Sequence, residues 1–214
     1  MEEIKLNYIP LHTLGYLHTK VPADILCDLN NQANIILINN FENAKMHNNN
    51  LYGAIEKELV LPSTDKLQPY ILKLCKYFWL FQYDQINANK KHTLSTIWVN
   101  FQKKYEHNPV HNHDGDLSFV IWLKIPYDLE KEKNITNVKN SNSFHNETAG
   151  FTFLYSTPNS DLRWTGINKH PIPMTKEREG EIILFKSSLP HMVYPFYTSD
   201  EYRISISGNV GILG

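Results

Sequence analysis

Two regimes of hydrophobic patterning divide the chain. Leu67, Tyr70, Ile71, Leu74, Cys75, Phe78 and Trp79 fall at i, i+3, i+4, i+7, i+8, i+11 and i+12. One apolar stripe of this kind predicts an amphipathic helix over Ser63–Phe81, with Ser63 or Asp65 as its cap and Pro69 in its first turn. Pro22 marks a second helix start, followed by Ile25, Leu26 and Leu29 at helical spacing, and Tyr8–Leu17 reads as a short strand. From residue 93 the period shortens to two. Strands are predicted over Thr93–Phe101, Leu117–Ile125, Phe151–Tyr155, Glu181–Phe185, His191–Phe196 and Tyr202–Ser207. Turn residues separate them and no amphipathic helix intervenes, the pattern of an antiparallel sandwich or barrel.

The chain therefore reads as mainly β with supporting N-terminal helices. Residues 1–214 form a single domain in this reading, with about 1–90 a mixed α/β supporting segment and about 93–214 the β core. Asp128–Ala149 is polar, mixed in charge and then rich in Asn and Ser. It is long for a hairpin loop and fits either a mobile lid or a tolerated insertion.

Composition narrows the function classes. Of 214 residues, 42% are hydrophobic and 20% charged, enough to bury a core. A net charge of -1 argues against a nucleic-acid or anionic-membrane partner held by bulk charge. Cys27 and Cys75 are too few and too far apart for a disulfide framework or a zinc ribbon, and both sit in apolar-periodic segments. The start Met1-Glu-Glu-Ile-Lys lacks the basic and apolar regions of a signal peptide, and no apolar run approaches the ~20 residues of a membrane span. A cytoplasmic location follows as the expectation. The Asn-x-Thr matches at Asn134 and Asn146 then read as chance.

The chemistry-bearing residues lie in the β half. His111 and His113 stand one residue apart just ahead of the run Leu117–Ile125, and alternation along a strand would aim both imidazoles at one point. His191 follows a Leu-Pro that ends a buried strand. A metal that must bind both oxygen and a second ligand needs a few protein ligands on one side and open positions on the other, and neutral imidazole suits Fe(II). Twelve residues after His191 comes Arg203-Ile-Ser205, whose alternation points a guanidinium and a hydroxyl inward. That pair suits a carboxylate, held bidentately with one further hydrogen bond. Each piece alone has a plainer reading: a surface His-x-His, a core histidine, an arginine paired with Asp200 or Glu201. Their order and spacing in a β chain lift the set.

The segment from about Trp98 to Leu213 resembles the double-stranded β-helix (jelly-roll, cupin-like) of 2-oxoglutarate/Fe(II)-dependent dioxygenases. It is most similar to the prolyl-hydroxylase-like oxygenases of marine bacteria and their phages. The matching text is Trp98-Val-Asn100, His111-Asn-His113 with Leu117–Leu123, Gly180–His191, and Glu201-Tyr-Arg203-Ile-Ser205. The resemblance implies Fe(II), 2-oxoglutarate as cosubstrate and O2. It implies hydroxylation of a C–H bond in a peptide, protein or small-molecule substrate, with a prolyl peptide the family-weighted guess, and release of succinate and CO2. It places Arg203 and Ser205 on the distal carboxylate of 2-oxoglutarate, Asn100 and Trp122 along its pocket, and catalysis at the iron centre itself. If phage-encoded, the protein would work in its host's cytoplasm.

One departure bears on the metal. The wider superfamily uses His-x-Asp for its first two ligands, and this chain has no His-x-Asp. Either His111, His113 and His191 form the site, or a bend brings Asp114 or Asp116 to the metal. A second reading is a cupin-type metal-binding protein or isomerase without 2-oxoglutarate. Leu117 stands where the cupin pattern has Glu, and Lys186-Ser-Ser where it has Pro-x-Gly, so both marks count against it. A third is a metal-free jelly-roll module, which would leave the three histidines on no common face.

Overall fold

Alternation along the longest C-terminal strand sorts its side chains onto two faces of a sheet, and this division builds the molecule. The structure, a computed structural model, describes residues 5–9, 15–47, 53–140, 147–156 and 167–213. Its strands are β1 (Asn7–Ile9), β2 (Tyr16–Lys20), β3 (Lys57–Val60), β4 (His92–Gln102), β5 (Asn108–His111) and β6 (Leu117–Lys124). They continue with β7 (Phe151–Ser156), β8 (Ile167–Ile172), β9 (Glu181–Lys186), β10 (His191–Val193) and β11 (Arg203–Ile212). Seven of them form one sheet in the order β1-β2-β9-β6-β11-β4-β3, and four form a second in the order β5-β10-β7-β8. All pairings are antiparallel. Strands β9, β6, β11 and β4 face the smaller sheet, giving the double-stranded β-helix.

On the outer face of the larger sheet, Val99, Phe101, Phe119, Ile121, Ile204 and Ile206 join one buried cluster with Ile25 and Leu29 of α1 (Ala23–Ile38) and Ile71, Leu74 and Phe78 of α2 (Leu67–Phe81). On the inner face, Trp122, Ile183 and Phe185 pack against Phe151 and Phe153 of the smaller sheet. Short helices α3 (Gln85–Asn89), α4 (Leu129–Lys133) and α5 (Thr136–Lys139) and a 3-10 turn at Lys176–Arg178 complete the described elements. No described helix is long and apolar enough to cross a membrane.

The predicted strands recur with shifted ends. His191–Phe196 stops at Val193, because the Tyr194 N–H turns to the Gly150 carbonyl and Pro195 has no N–H to give. Tyr202–Ser207 begins one residue later and runs on to Ile212, past an irregularity between Gly208 and Val210. The expected strand Tyr8–Leu17 is instead two paired strands, β1 and β2, and residues 10–14 of that stretch lie outside those described. α1 begins right after Pro22 as expected, whereas α2 begins at Leu67 on Lys66, with no side-chain cap. Ser63 and Asp65 bond to one another instead. β3, β5 and β8 are too short or too polar for a two-residue period to reveal them.

Asp128–Ala149 is tied down at both ends. Asp128 caps α4, and the Ala149 carbonyl is buried against Tyr127 and Arg203. Residues 141–146 lie outside the described set. Within α4, Glu132 is fully buried and accepts from the backbone N–H groups of Tyr197 and Thr198 at 2.9 and 2.7 Å and from the Thr198 hydroxyl. That clamp fixes the chain just before β11.

A second buried carboxyl, Glu58, lies on edge strand β3, and the Asn108 amide of edge strand β5 hydrogen-bonds it across the gap between the sheets. Burial, with the Glu106 charge adding, pushes it up to about 7 against the opposing Asn108 bond. Glu132→Gln should destabilise the fold by about 2–3 kcal/mol in urea unfolding, because an amide N–H2 then meets N–H donors that had an acceptor. Glu58 carries the opposite sign. Its folded pKa exceeds its unfolded one, so its favourable term is complete below about pH 4.5 and is lost as pH rises through about 7. Glu58→Gln should therefore be more stable than wild type at pH 8, by on the order of 3 kcal/mol, and the gap should close by pH 5.

Candidate metal centre

Histidines from two stretches of the sequence meet where the two sheets open. His111 ends β5, and His191 begins β10 as its direct cross-strand partner. His113 is not on a strand. It lies in the turn before β6, held by its own N–H to the Ser187 carbonyl at 2.9 Å. A loop therefore brings His111 and His113 together, rather than the strand alternation expected from their spacing. Ring centroids are 4.3 Å apart for His111–His191, 4.9 Å for His111–His113 and 5.0 Å for His113–His191. One ring nitrogen of each lies within 4.8 Å of the others.

The rings are oriented by the main chain. His111 Nδ1 lies 2.7 Å from the Pro109 carbonyl, and His191 Nδ1 lies 2.9 Å from the Leu189 carbonyl. A carbonyl can only accept, so Nδ1 carries the proton in both rings and Nε2 keeps its lone pair for a metal. Phe151 stacks on His191 at 18° and 5.2 Å, and Phe185 meets the same ring edge-on at 5.0 Å. Burial lowers all three pKa values: His113 to about 4, His191 well below the usual range, and His111 in the same direction. The cluster is thus neutral at pH 7, the state in which imidazole ligates. Three neutral imidazoles on one side of a cavity fit a first-row divalent metal with open positions beyond.

Neither aspartate belongs to this cluster. Asp114 is exposed, and the Asp116 carboxylate accepts from the Ile212 N–H at 2.7 Å.

The remaining expected residues line the same cavity. Its volume is about 50 Å³, room for roughly three or four waters. Register explains how they meet: Glu58 pairs with Asn100, Asn100 with Ser205, and Ser205 with Trp122, one row across β3, β4, β11 and β6. The Asn100 amide donates to the hydroxyls of Ser205 and Ser207, both at 3.2 Å. Asn100 Oδ1 is buried and has no hydrogen-bond partner among the described residues.

Arg203 is 4% exposed, and its five N–H groups are all engaged. Nε and one terminal nitrogen donate to Gln102 Oε1 at 3.0 and 2.5 Å. The others donate to the Tyr127 hydroxyl, the Ala149 carbonyl and the Tyr194 carbonyl at 2.7–3.0 Å. Every acceptor is neutral, and among the described residues the guanidinium forms no ion pair. Its Cζ lies over the stacked rings of Tyr127 and Phe196, 5.9 and 5.6 Å from their centroids.

Sequence reasoning missed four of the polar wall residues: Glu58, Gln102, Asn108 and Ser207. Gln102 and Ser207 continue the two-residue alternation from Asn100 and Ser205, so that period could have found them. Glu58 sits in a four-residue edge strand that gives no periodic signal.

Comparison with known proteins agrees with the geometry. Residues 96–209, just over half of the chain, match the family described as "Putative 2OG-Fe(II) oxygenase". No curated protein matches. Among solved structures, a Pseudomonas putida prolyl-4-hydroxylase is similar at 14% identity and a TM-score of 0.53, covering 92% of each chain. The α-ketoglutarate-dependent epimerase SnoN of nogalamycin biosynthesis is similar at 15% identity and TM-score 0.51, over 91% of this chain and 77% of its own. The carbocyclase SnoK of the same biosynthesis gives 11% and 0.51, over 94% and 80%. At such identities the likeness is one of fold. The family match carries more, and with it the chain belongs to the 2-oxoglutarate/Fe(II) oxygenases, whose chemistry runs on Fe(II), 2-oxoglutarate and O2.

Proposed function

We propose that the protein hydroxylates an unactivated C–H bond, with His111, His113 and His191 holding the iron and Arg203 receiving the distal carboxylate of 2-oxoglutarate. The observation that carries this reading is the convergence of three neutral, backbone-oriented imidazoles on a cavity whose far wall is a buried guanidinium. Iron with 2-oxoglutarate and O2 supplies the oxidising power, and 2-oxoglutarate leaves as succinate and CO2. This chain's residues orient the cosubstrate and keep water out. Ser205, Ser207 and the Asn100 amide offer donors along the cavity wall, and Trp122 and Phe151 supply apolar surface. A prolyl peptide is the first substrate to test.

Gln102 has a part in this reading. Its Oε1 occupies the Nε edge of the guanidinium, the fork a carboxylate takes bidentately. Cosubstrate binding therefore displaces Gln102, exchanging a neutral acceptor for an anion and widening a narrow cavity. The same saturated guanidinium favours a second reading, in which Arg203 is purely structural and the metal site works without 2-oxoglutarate.

Two experiments separate these possibilities. His191→Ala should lose stoichiometric iron in metal analysis while Asp114→Ala keeps it, since two remaining imidazoles hold a first-row metal poorly. Iron retained by His191→Ala, or lost from Asp114→Ala, would overturn the three-histidine assignment. Arg203→Leu should keep iron but weaken 2-oxoglutarate about thirty-fold or more, read from the metal-to-ligand absorption band of the anaerobic protein. Equal affinity in that variant would move the structural reading of Arg203 ahead.

A further inference from the structure

Of the groups that accept from the Arg203 guanidinium, one differs in kind from the rest. The Ala149 and Tyr194 acceptors are main-chain carbonyls. The Tyr127 side chain is fixed by its bond to the Ala149 carbonyl and by its stacking on Phe196. Gln102 is a side-chain amide free to change rotamer, and among the described residues it is the acceptor that also lines the cavity. It is the direct cross-strand partner of Arg203, so the register that turns the guanidinium inward also sets this amide against it.

The amide is oriented at both ends. A guanidinium only donates and the Glu106 carbonyl only accepts, so Oε1 faces Arg203 while Nε2 donates to Glu106 at 2.5 Å. Oε1 bridges Nε and a terminal nitrogen, the edge a carboxylate takes bidentately. The amide therefore imitates the distal carboxylate without its charge. It is buried, and while it stays no ligand in the cavity reaches that edge.

We propose that Gln102 is a built-in competitor for the carboxylate seat on Arg203, setting both the affinity for 2-oxoglutarate and the release of succinate. This rests on the oxygenase reading, which supplies the two diacids. Both carry the same distal carboxylate, and either reaches the seat only when the amide has swung away. The affinity of each is then lowered by the fraction of molecules in which the seat is covered. A carboxylate displaces the amide because charge-assisted bonds replace neutral ones, whereas a neutral acceptor of the same shape gains nothing. When succinate loosens, the amide returns and closes the seat behind it. Gln102 is a positioning residue here and touches no reacting atom.

A competitor at this seat acts on one end of the cosubstrate only. 2-Oxobutyrate has the keto-acid end that meets the metal but no distal carboxylate, and succinate keeps the distal carboxylate but has no ketone. The full-length protein, loaded anaerobically with Fe(II), is titrated with the two keto acids by their absorption band, and succinate is measured by its displacement of 2-oxoglutarate. Gln102→Ala should bind both diacids about three-fold or more tightly than wild type, with 2-oxobutyrate unchanged. Gln102→Glu keeps the shape but pairs with the guanidinium as an ion, and should bind both diacids about ten-fold or more weakly. A merely structural role would weaken binding in both variants. Unchanged or weaker diacid binding in Gln102→Ala, or a gain shared by 2-oxobutyrate, overturns the proposal. If Gln102→Ala does not fold, Gln102→Glu decides, and wild-type affinity there overturns it. Such failures leave the cosubstrate reading standing while wild type prefers 2-oxoglutarate to 2-oxobutyrate and Arg203→Leu loses that preference. A wild type with no such preference removes the cosubstrate reading itself, and the competitor with it.

Discussion

The pairing of β11 between β4 and β6 is the constraint on which the rest depends. β11 shares nine paired positions with β4 and seven with β6, and it sits at the centre of the region facing the smaller sheet. Because side chains alternate with period two, this register decides that Arg203, Ser205 and Ser207 face the cavity while Ile204 and Ile206 face the helices. A slip of one residue would bury the guanidinium against α1 and α2 and turn isoleucines toward the metal site. The apolar cluster under the helices thus does more than hold the sheet. By accepting only Ile204, Ile206, Val99 and Phe101, it fixes the polar side of the same strands. The clamp of Glu132 on Tyr197 and Thr198 fixes the approach to β11 from the other end.

How much could be read beforehand follows from this architecture. Strands buried on one face and polar on the other announce themselves by alternation, so β4, β6, β9 and β11 were legible, and with them Asn100, Trp122, Arg203 and Ser205. α2 was legible because seven apolar residues share one helical stripe. His111, His113 and His191 could be named from order and spacing, yet the reason they meet was not visible. His113 owes its place to a backbone hydrogen bond that its N–H donates to the Ser187 carbonyl, which no side-chain pattern encodes. Glu58 was invisible for a related reason. Its strand is four residues long, and its burial arises from facing β5 across the sandwich, a contact between segments fifty residues apart. The engagement of Arg203 by Gln102, Tyr127, Ala149 and Tyr194 likewise depends on four separate stretches of chain.

With three neutral ligands, the proposed site would leave the full charge of the metal uncompensated until an anion arrives. The cosubstrate dianion then supplies what an aspartate ligand supplies elsewhere. Iron and 2-oxoglutarate would bind with mutual reinforcement, each improving the site for the other. The arrangement of fixed charges is consistent with such a dependence: a guanidinium whose partners are all neutral lies on one side of the cavity and a carboxyl raised by burial on the other. The guanidinium is a group whose charge is better stabilised by an anion that enters than by the neutral acceptors already there.

The orientation of two of the three histidines has a consequence for how such a protein can change over generations. Pro109 and Leu189 hold the His111 and His191 rings through main-chain carbonyls, and a carbonyl survives every amino-acid replacement at its own position. In sites where a carboxylate side chain does this work, one codon change removes the support. Here no single substitution deletes it, and only displacement of the backbone does. The cavity walls can then drift, exchanging Glu58, Trp98 or Met174 for other residues, while the imidazoles keep their tautomers and their aim. A scaffold that separates the inherited metal geometry from the variable pocket in this way is suited to acquiring new substrates without first losing its chemistry.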